Sequence, residues 1–183
     1  MFGEIGTIIG QILSIVAVIT GVISFQMKTS KGILFFQIIT ALVFATHYFL
    51  IGAMTATMLN FIGAIQCVCY YIRNRRQSKN PILPIFFTTL VVFTSLLTWD
   101  GWYSIFIMLG LLINSIGFAS PNAQIIRRLN LIKSPLCLVY NLCVSSVGGI
   151  IFETASMIST AIGLVKNNTM NKGKGWKLCI NKK

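Results

Sequence analysis

The chain has 183 residues, 55% of them hydrophobic and only 10% charged, with a net charge of +12 and a mean hydropathy of +0.81. A soluble domain carries charge at about 25% of its positions, so this composition excludes a chain that covers itself with polar surface and implies an integral membrane protein. The basic residues lie in short breaks between apolar runs and accompany no nucleic-acid motif, so the charge reports topology and excludes a nucleic-acid partner.

The N-terminal stretch MFGEIGTIIGQILSIVAVITGVIS has no basic leader and no A-x-A cleavage signal, and it is long enough to span. It reads as a first transmembrane helix, not a cleaved signal. It is the first of seven apolar runs: 5–25, 32–51, 54–72, 82–98, 102–118, 131–146 and 149–165. Each approaches the length that a hydrocarbon core of about 30 Å requires at about 1.5 Å per residue. The sixth is short unless it begins near Ile125, with Arg127 and Arg128 snorkelling to the interface and Pro135 bending it. Pro81 and Pro84 fit the first turn of the fourth.

Basic residues fall in alternate loops. Lys28 and Lys31 follow run one, Arg73, Arg75, Arg76 and Lys79 follow run three, and Arg127, Arg128 and Lys133 follow run five. Lys166, Lys172, Lys174, Lys177, Lys182 and Lys183 follow run seven, while IGAMT, TWDGWY and SSVGG contain no Lys or Arg. The positive-inside rule then puts the N-terminus outside and the C-terminus inside. Trp99, Trp102 and Tyr103 form an outer aromatic belt, and Tyr70 and Tyr71 an inner one. Residues 167–183 read as a basic cytoplasmic tail that meets anionic lipid.

Cys67, Cys69, Cys137 and Cys143 lie in apolar runs, no C-x-x-C occurs, and there is one histidine. The cysteines read as packing residues, with no metal site and no cofactor implied. No G-x-S-x-G or P-loop is present, so the chain does not read as an enzyme, and no catalytic residue is assigned.

Residues 47–74 align with 140–167 without a gap. His47 meets Tyr140, Gly52 meets Ser145, Ala56 meets Gly149, Asn60 meets Glu153 and Arg73 meets Lys166. The layout implies two parallel three-helix repeats, 5–73 and 102–166, joined by a linker helix at 82–98 in one transmembrane domain, 1–166. An odd number of helices inverts the following unit, and a lone fourth helix restores the orientation. Repeats related by an axis along the membrane normal are a transporter architecture, with a site between them.

THYFLIGAMTATMLN, the Arg-rich loop that follows it, and the later SVGGIIFETAS resemble the bacterial inner-membrane YgjV family over most of 5–166. Tyr140 stands where that family often has a histidine. The resemblance implies location in the inner membrane and carries no established activity. The repeat layout is similar to that of the SWEET and PQ-loop transporters, although the Pro-Gln dipeptide is absent, with Phe25 before Gln26 and Ala123 before Gln124.

Glu153 is the one acid inside an apolar run, and such a group needs a partner, a proton or a wet cavity. Asn60, at the equivalent position, offers a donor and an acceptor. Both lie about 6–9 Å beneath the outer helix ends. His47, Tyr140, Asn141 and Asn114 complete the candidate substrate-binding set, although a lone membrane histidine more often bonds a neighbouring backbone group or hydroxyl. The reading is a small-solute transporter with membrane lipid, a small polar solute and protons as partners. A monomer suffices for one pore and a homodimer is compatible. A membrane sensor, or a structural protein whose polar groups only join helices, is the alternative.

Overall fold

The computed structural model describes residues 3–76 and 81–180, with side chains for 5–76 and 81–166. Seven helices and no strand occur among the described residues: α1 Gly3–Gln26, α2 Ser30–Ile51, α3 Met54–Arg75, α4 Ile82–Leu97, α5 Ser104–Phe118, α6 Ala123–Cys143 and α7 Val147–Ile180. Four stretches, Ile5–Gln26, Ser30–Ile51, Met54–Arg75 and Val147–Lys166, are long and apolar enough to cross a membrane. Helices α4 and α5 are apolar but shorter, with 16 and 15 residues. Helix α6 has 21 residues and carries Arg127, Arg128 and Lys133 along its first half.

Local chemistry sets the helix ends. The Thr29 side chain accepts from the Gly32 amide and caps α2, and Asn122 Oδ1 accepts from the Gln124 amide at 2.9 Å to cap α6. Pro81 stands at the start of α4, where a missing amide hydrogen costs nothing. Asp100 Oδ2 accepts from the Thr55 amide at 2.9 Å, so the α4–α5 turn caps α3. Among the described residues, two adopt left-handed backbone: Gly52 after α2, with φ 84°, and Ser145 after α6, with φ 53°. Both turns close with the same bonds. Ala53 N donates to Tyr48 O and Ser146 N to Asn141 O, each at 2.9 Å.

Six helices close a ring. Helix α1 packs on α2 and α7, α2 on α3, α3 on α5, α5 on α6, and α6 on α7. Helix α4 sits outside it, against α3 and α5, while α2 meets α6 across the middle. Small residues allow the close approaches. A Cβ on Gly148 would strike Ser14, and one on Gly21 would strike the Phe152 ring. One apolar cluster gathers Phe44, Tyr48, Leu59, Ile107, Tyr140 and Phe152, and a second gathers Ile33, Leu34, Tyr70, Phe87, Phe118 and Ile126. Exposed isoleucines along α1, such as Ile5, Ile12 and Ile19, turn away from the ring.

The sixth helix begins at Ala123, close to the expected start near Ile125, with Asn122 as its cap. Other expectations are corrected. Arg127 does not snorkel: it is fully buried, whereas Arg128 is exposed. Lys133 is not a loop residue but lies inside α6. Tyr70 is buried in the second cluster and does not belong to an inner belt. Lys79, residues 181–183 and the side chains of the basic tail lie outside the described residues.

Candidate functional site

A cavity of about 50 Å³ lies within the ring, walled by α2, α3, α5, α6 and α7. That volume holds a few water molecules. Thr40, Phe44 and Tyr48 come from α2, and Asn60 and Gly63 from α3. Asn114 comes from α5, Lys133 and Cys137 from α6, and Phe152 and Glu153 from α7.

The dominant feature is an ion pair. Lys133 Nζ lies 2.9 Å from Glu153 Oε1, with both side chains buried. The ammonium also stands over the Phe152 ring, 5.5 Å from its centroid. Each charge alone at this depth would be strongly unfavourable, and each offsets the other. No N–H or O–H donor reaches the buried Glu153 Oε2. Asn60 Nδ2 donates to Ala56 O at 2.8 Å, which leaves Asn60 Oδ1 as an acceptor. Gln37 Nε2 similarly donates to Ser24 Oγ at 3.1 Å, leaving an oxygen at the cavity wall.

Of the six residues singled out by sequence, Asn60, Asn114 and Glu153 line this cavity, while His47, Tyr140 and Asn141 do not. His47 is fully buried between α1 and the α6–α7 turn. Its Nδ1 is 2.8 Å from Gly10 O and its Nε2 2.8 Å from Ser146 Oγ. A carbonyl only accepts, so Nδ1 carries the hydrogen and neutral Nε2 accepts from the Ser146 hydroxyl. Ser146 Oγ in turn accepts from the Gly149 amide at 3.1 Å. This chain ties three helices and leaves the histidine no free nitrogen. Asn141 Oδ1 accepts from the Tyr48 hydroxyl at 2.5 Å. Tyr140 packs against Tyr48 and Tyr103. These three residues form a layer between the cavity and the α2–α3 and α6–α7 turns.

Sequence reasoning missed Lys133, the partner that Glu153 requires. The available signal was the need of a lone intramembrane acid for a cation, with Lys133 within reach once α6 begins before residue 131. It also missed Arg127. That side chain donates from Nε to Phe25 O at 2.9 Å, and from Nη2 to Met27 O. It thereby satisfies carbonyls at the end of α1, which has no basic residue of its own in its last turn. Asn130, one turn further along α6, donates to Ser156 and Thr160 on α7 at 2.9 and 3.0 Å.

Among the described residues, seven helices, four of them long and apolar enough to cross a membrane, with a paired charge inside the bundle, define a multi-pass helical membrane protein. The family model described as a bacterial inner membrane protein, Imp-YgjV, matches residues 8–171, and the chain belongs to that family. Its location is therefore the bacterial inner membrane. No curated protein and no solved structure matches it.

Proposed function

We propose that this protein moves a small polar solute across the inner membrane by alternating access between two three-helix repeats, 5–73 and 102–166. The α4 segment links them in a 3+1+3 layout similar to that of the SWEET and PQ-loop transporters. The N-terminus lies outside and the C-terminus inside, and the cavity is the solute site.

The observation that carries this reading is the symmetry of the cavity wall. A shift of 93 residues, the separation of Tyr48 and Asn141, also pairs Thr40 with Lys133, Phe44 with Cys137, Leu59 with Phe152, and Asn60 with Glu153. All eight of these residues line the cavity. The same shift superposes the left-handed turns at Gly52 and Ser145. It also maps the α1–α7 contact onto the α5–α3 contact, and α2–α6 onto itself. A wall built from equivalent positions of two repeats is the place where a rocking motion exposes one site to either side.

The test needs no knowledge of the solute. Gly63 lines the cavity, and a Cβ there meets nothing within 4 Å. In a cysteine-free background, Gly63→Cys is treated with a membrane-impermeant maleimide in intact cells and in inverted vesicles. Alternating access gives labelling from both sides. The small cavity and the mutual neutralisation of Lys133 and Glu153 favour a second reading, a sensing or structural membrane protein. That protein would be labelled from one side or from neither.

A further inference from the structure

Three properties of the cavity limit what it can hold. The first is size. At about 50 Å³ it falls well short of the roughly 300 Å³ at which pockets for larger organic ligands begin. The second is charge. Lys133 and Glu153 sum to zero, at 2.9 Å separation. A free anion on Lys133 would lie against the Glu153 carboxylate, and a free cation on Glu153 would lie against the Lys133 ammonium. Either would leave one uncompensated charge among buried groups, the arrangement that buried pairs tolerate least. The third is unused hydrogen-bonding capacity. Glu153 Oε2 has no N–H or O–H donor, and Asn60 Oδ1 is left as an acceptor because Nδ2 is engaged with Ala56 O. Lys133 has three ammonium hydrogens and directs one to Glu153 Oε1.

We infer that the cavity takes a small zwitterion, an amino acid about the size of glycine or alanine. Its ammonium group lies on Glu153 Oε2 and Asn60 Oδ1, and its carboxylate on Lys133. A zwitterion inserted head to tail across the pair brings one charge of each sign. Net charge stays at zero, and each protein charge keeps an opposite neighbour throughout. Phe44, Phe152 and Ile107 share the remaining wall with Thr40, Tyr48 and Asn114, and their apolar surfaces accommodate a methyl group. This assignment names the substrate class for the transport reading above and rests on it.

The experiment follows thermal unfolding of the purified full chain with glycine, L-alanine, acetate, ethylammonium or glucose at one matched concentration, at pH 5 and pH 7. At about ten times Kd, a ligand that binds the folded state alone raises Tm by about 3–5 °C. The expected result is a rise with glycine and alanine, none with the other three, and its loss in Lys133→Met/Glu153→Met. Apolar replacement of both members of a buried pair is commonly tolerated, and cooperative melting without ligand verifies that the double variant is folded. Asn60→Leu, which keeps the pair and removes one acceptor, is expected to reduce the alanine shift by at least half. An equal rise with acetate, ethylammonium or glucose overturns the zwitterion, as does no rise with either amino acid. Failure of the transport reading is separate. Two-sided labelling of Gly63→Cys with no amino-acid shift rejects the zwitterion alone. One-sided labelling with an amino-acid shift rejects transport and leaves a binding site.

Discussion

Tyr48 donates its hydroxyl hydrogen to Asn141 Oδ1 over 2.5 Å, and the two residues are 93 positions apart, the same shift that relates Asn60 to Glu153. In the proposed repeat, helices α2 and α6 thus meet through side chains at equivalent places, at the end of the cavity nearest the two left-handed turns. Tyr48 also lines the cavity, so the bond closes that end of it. In the proposed orientation this is the outer end.

Tyr48→Phe keeps the ring and its stacking on Phe44, but strands the Asn141 carbonyl oxygen in a buried place. The expected cost is about 1–3 kcal/mol, the penalty of an unsatisfied buried acceptor. Chemical unfolding in detergent measures it. If the bond holds the outer end shut, Tyr48→Phe also speeds maleimide labelling of Gly63→Cys in intact cells. An unchanged labelling rate alongside the stability loss would make the bond a fastener and not a gate.

The ion pair yields a contrast between single and double substitutions. Lys133→Met leaves Glu153 charged and alone, with Oε2 already without an N–H or O–H donor, and is expected to cost about 3–5 kcal/mol. Glu153→Met leaves the Lys133 ammonium with little beyond the Phe152 face and is expected to cost a similar amount. Lys133→Met/Glu153→Met removes both charges and is expected to lie within about 1–2 kcal/mol of the parent. Unfolding of the four proteins under one condition gives the coupling energy directly. Additive losses would show that the two charges do not depend on each other.

Lys133 also marks where sequence reading stopped. Apolar runs separated by Lys and Arg gave the helix number, because a bilayer enforces both length and hydrophobicity. The proposed shift of 93 came from the ungapped match of His47 with Tyr140, Gly52 with Ser145 and Asn60 with Glu153, of which Gly52 and Ser145 share left-handed backbone. Counting charges, however, assigns any Lys near a run boundary to a loop, and it cannot see a partner 20 residues away on the next helix. Arg127 was obscured for the same reason: a long basic side chain near a helix end normally reaches outward, yet here the free carbonyls of Phe25 and Met27 draw it in. Asn60 and Glu153 stood out because polar groups are costly in apolar runs. His47 stood out equally, but Gly10 and Ser146 occupy both of its nitrogens, and nothing in the one-dimensional pattern distinguishes a satisfied histidine from an available one.

Arg127 is predicted to pin helix α6 to the end of helix α1. Its bonds to Phe25 O and Met27 O join α6 to the end of α1. Arg127→Ala removes charge-assisted bonds worth about 1.5–3 kcal/mol each and is expected to lower stability by about 3 kcal/mol or more. Arg127→Lys retains the charge without the planar fork that reaches two carbonyls at once, and should recover less than half of the loss. Hydrogen exchange localises the effect: amides in the last turns of α1 should exchange faster in Arg127→Ala, while those at the α6–α7 turn remain protected. Uniformly faster exchange would contradict the local cap.

The two left-handed turns make opposite predictions from one cause. A side chain with a Cβ in left-handed backbone costs about 1–2 kcal/mol, and glycine avoids this at an unfolded-state entropy cost of about 0.5–1 kcal/mol. Ser145 carries that strain at φ 53°, on an exposed position. Ser145→Gly should therefore stabilise the protein by roughly 0.5–1 kcal/mol. Gly52, at φ 84°, has nothing within 4 Å of an added Cβ, so Gly52→Ala tests the backbone without a clash and should destabilise by a similar amount. Combined, the changes should nearly cancel, since each acts on its own turn. Denaturant midpoints of the three variants check this. A destabilised Ser145→Gly would show that the serine does something at that turn that its backbone geometry does not reveal.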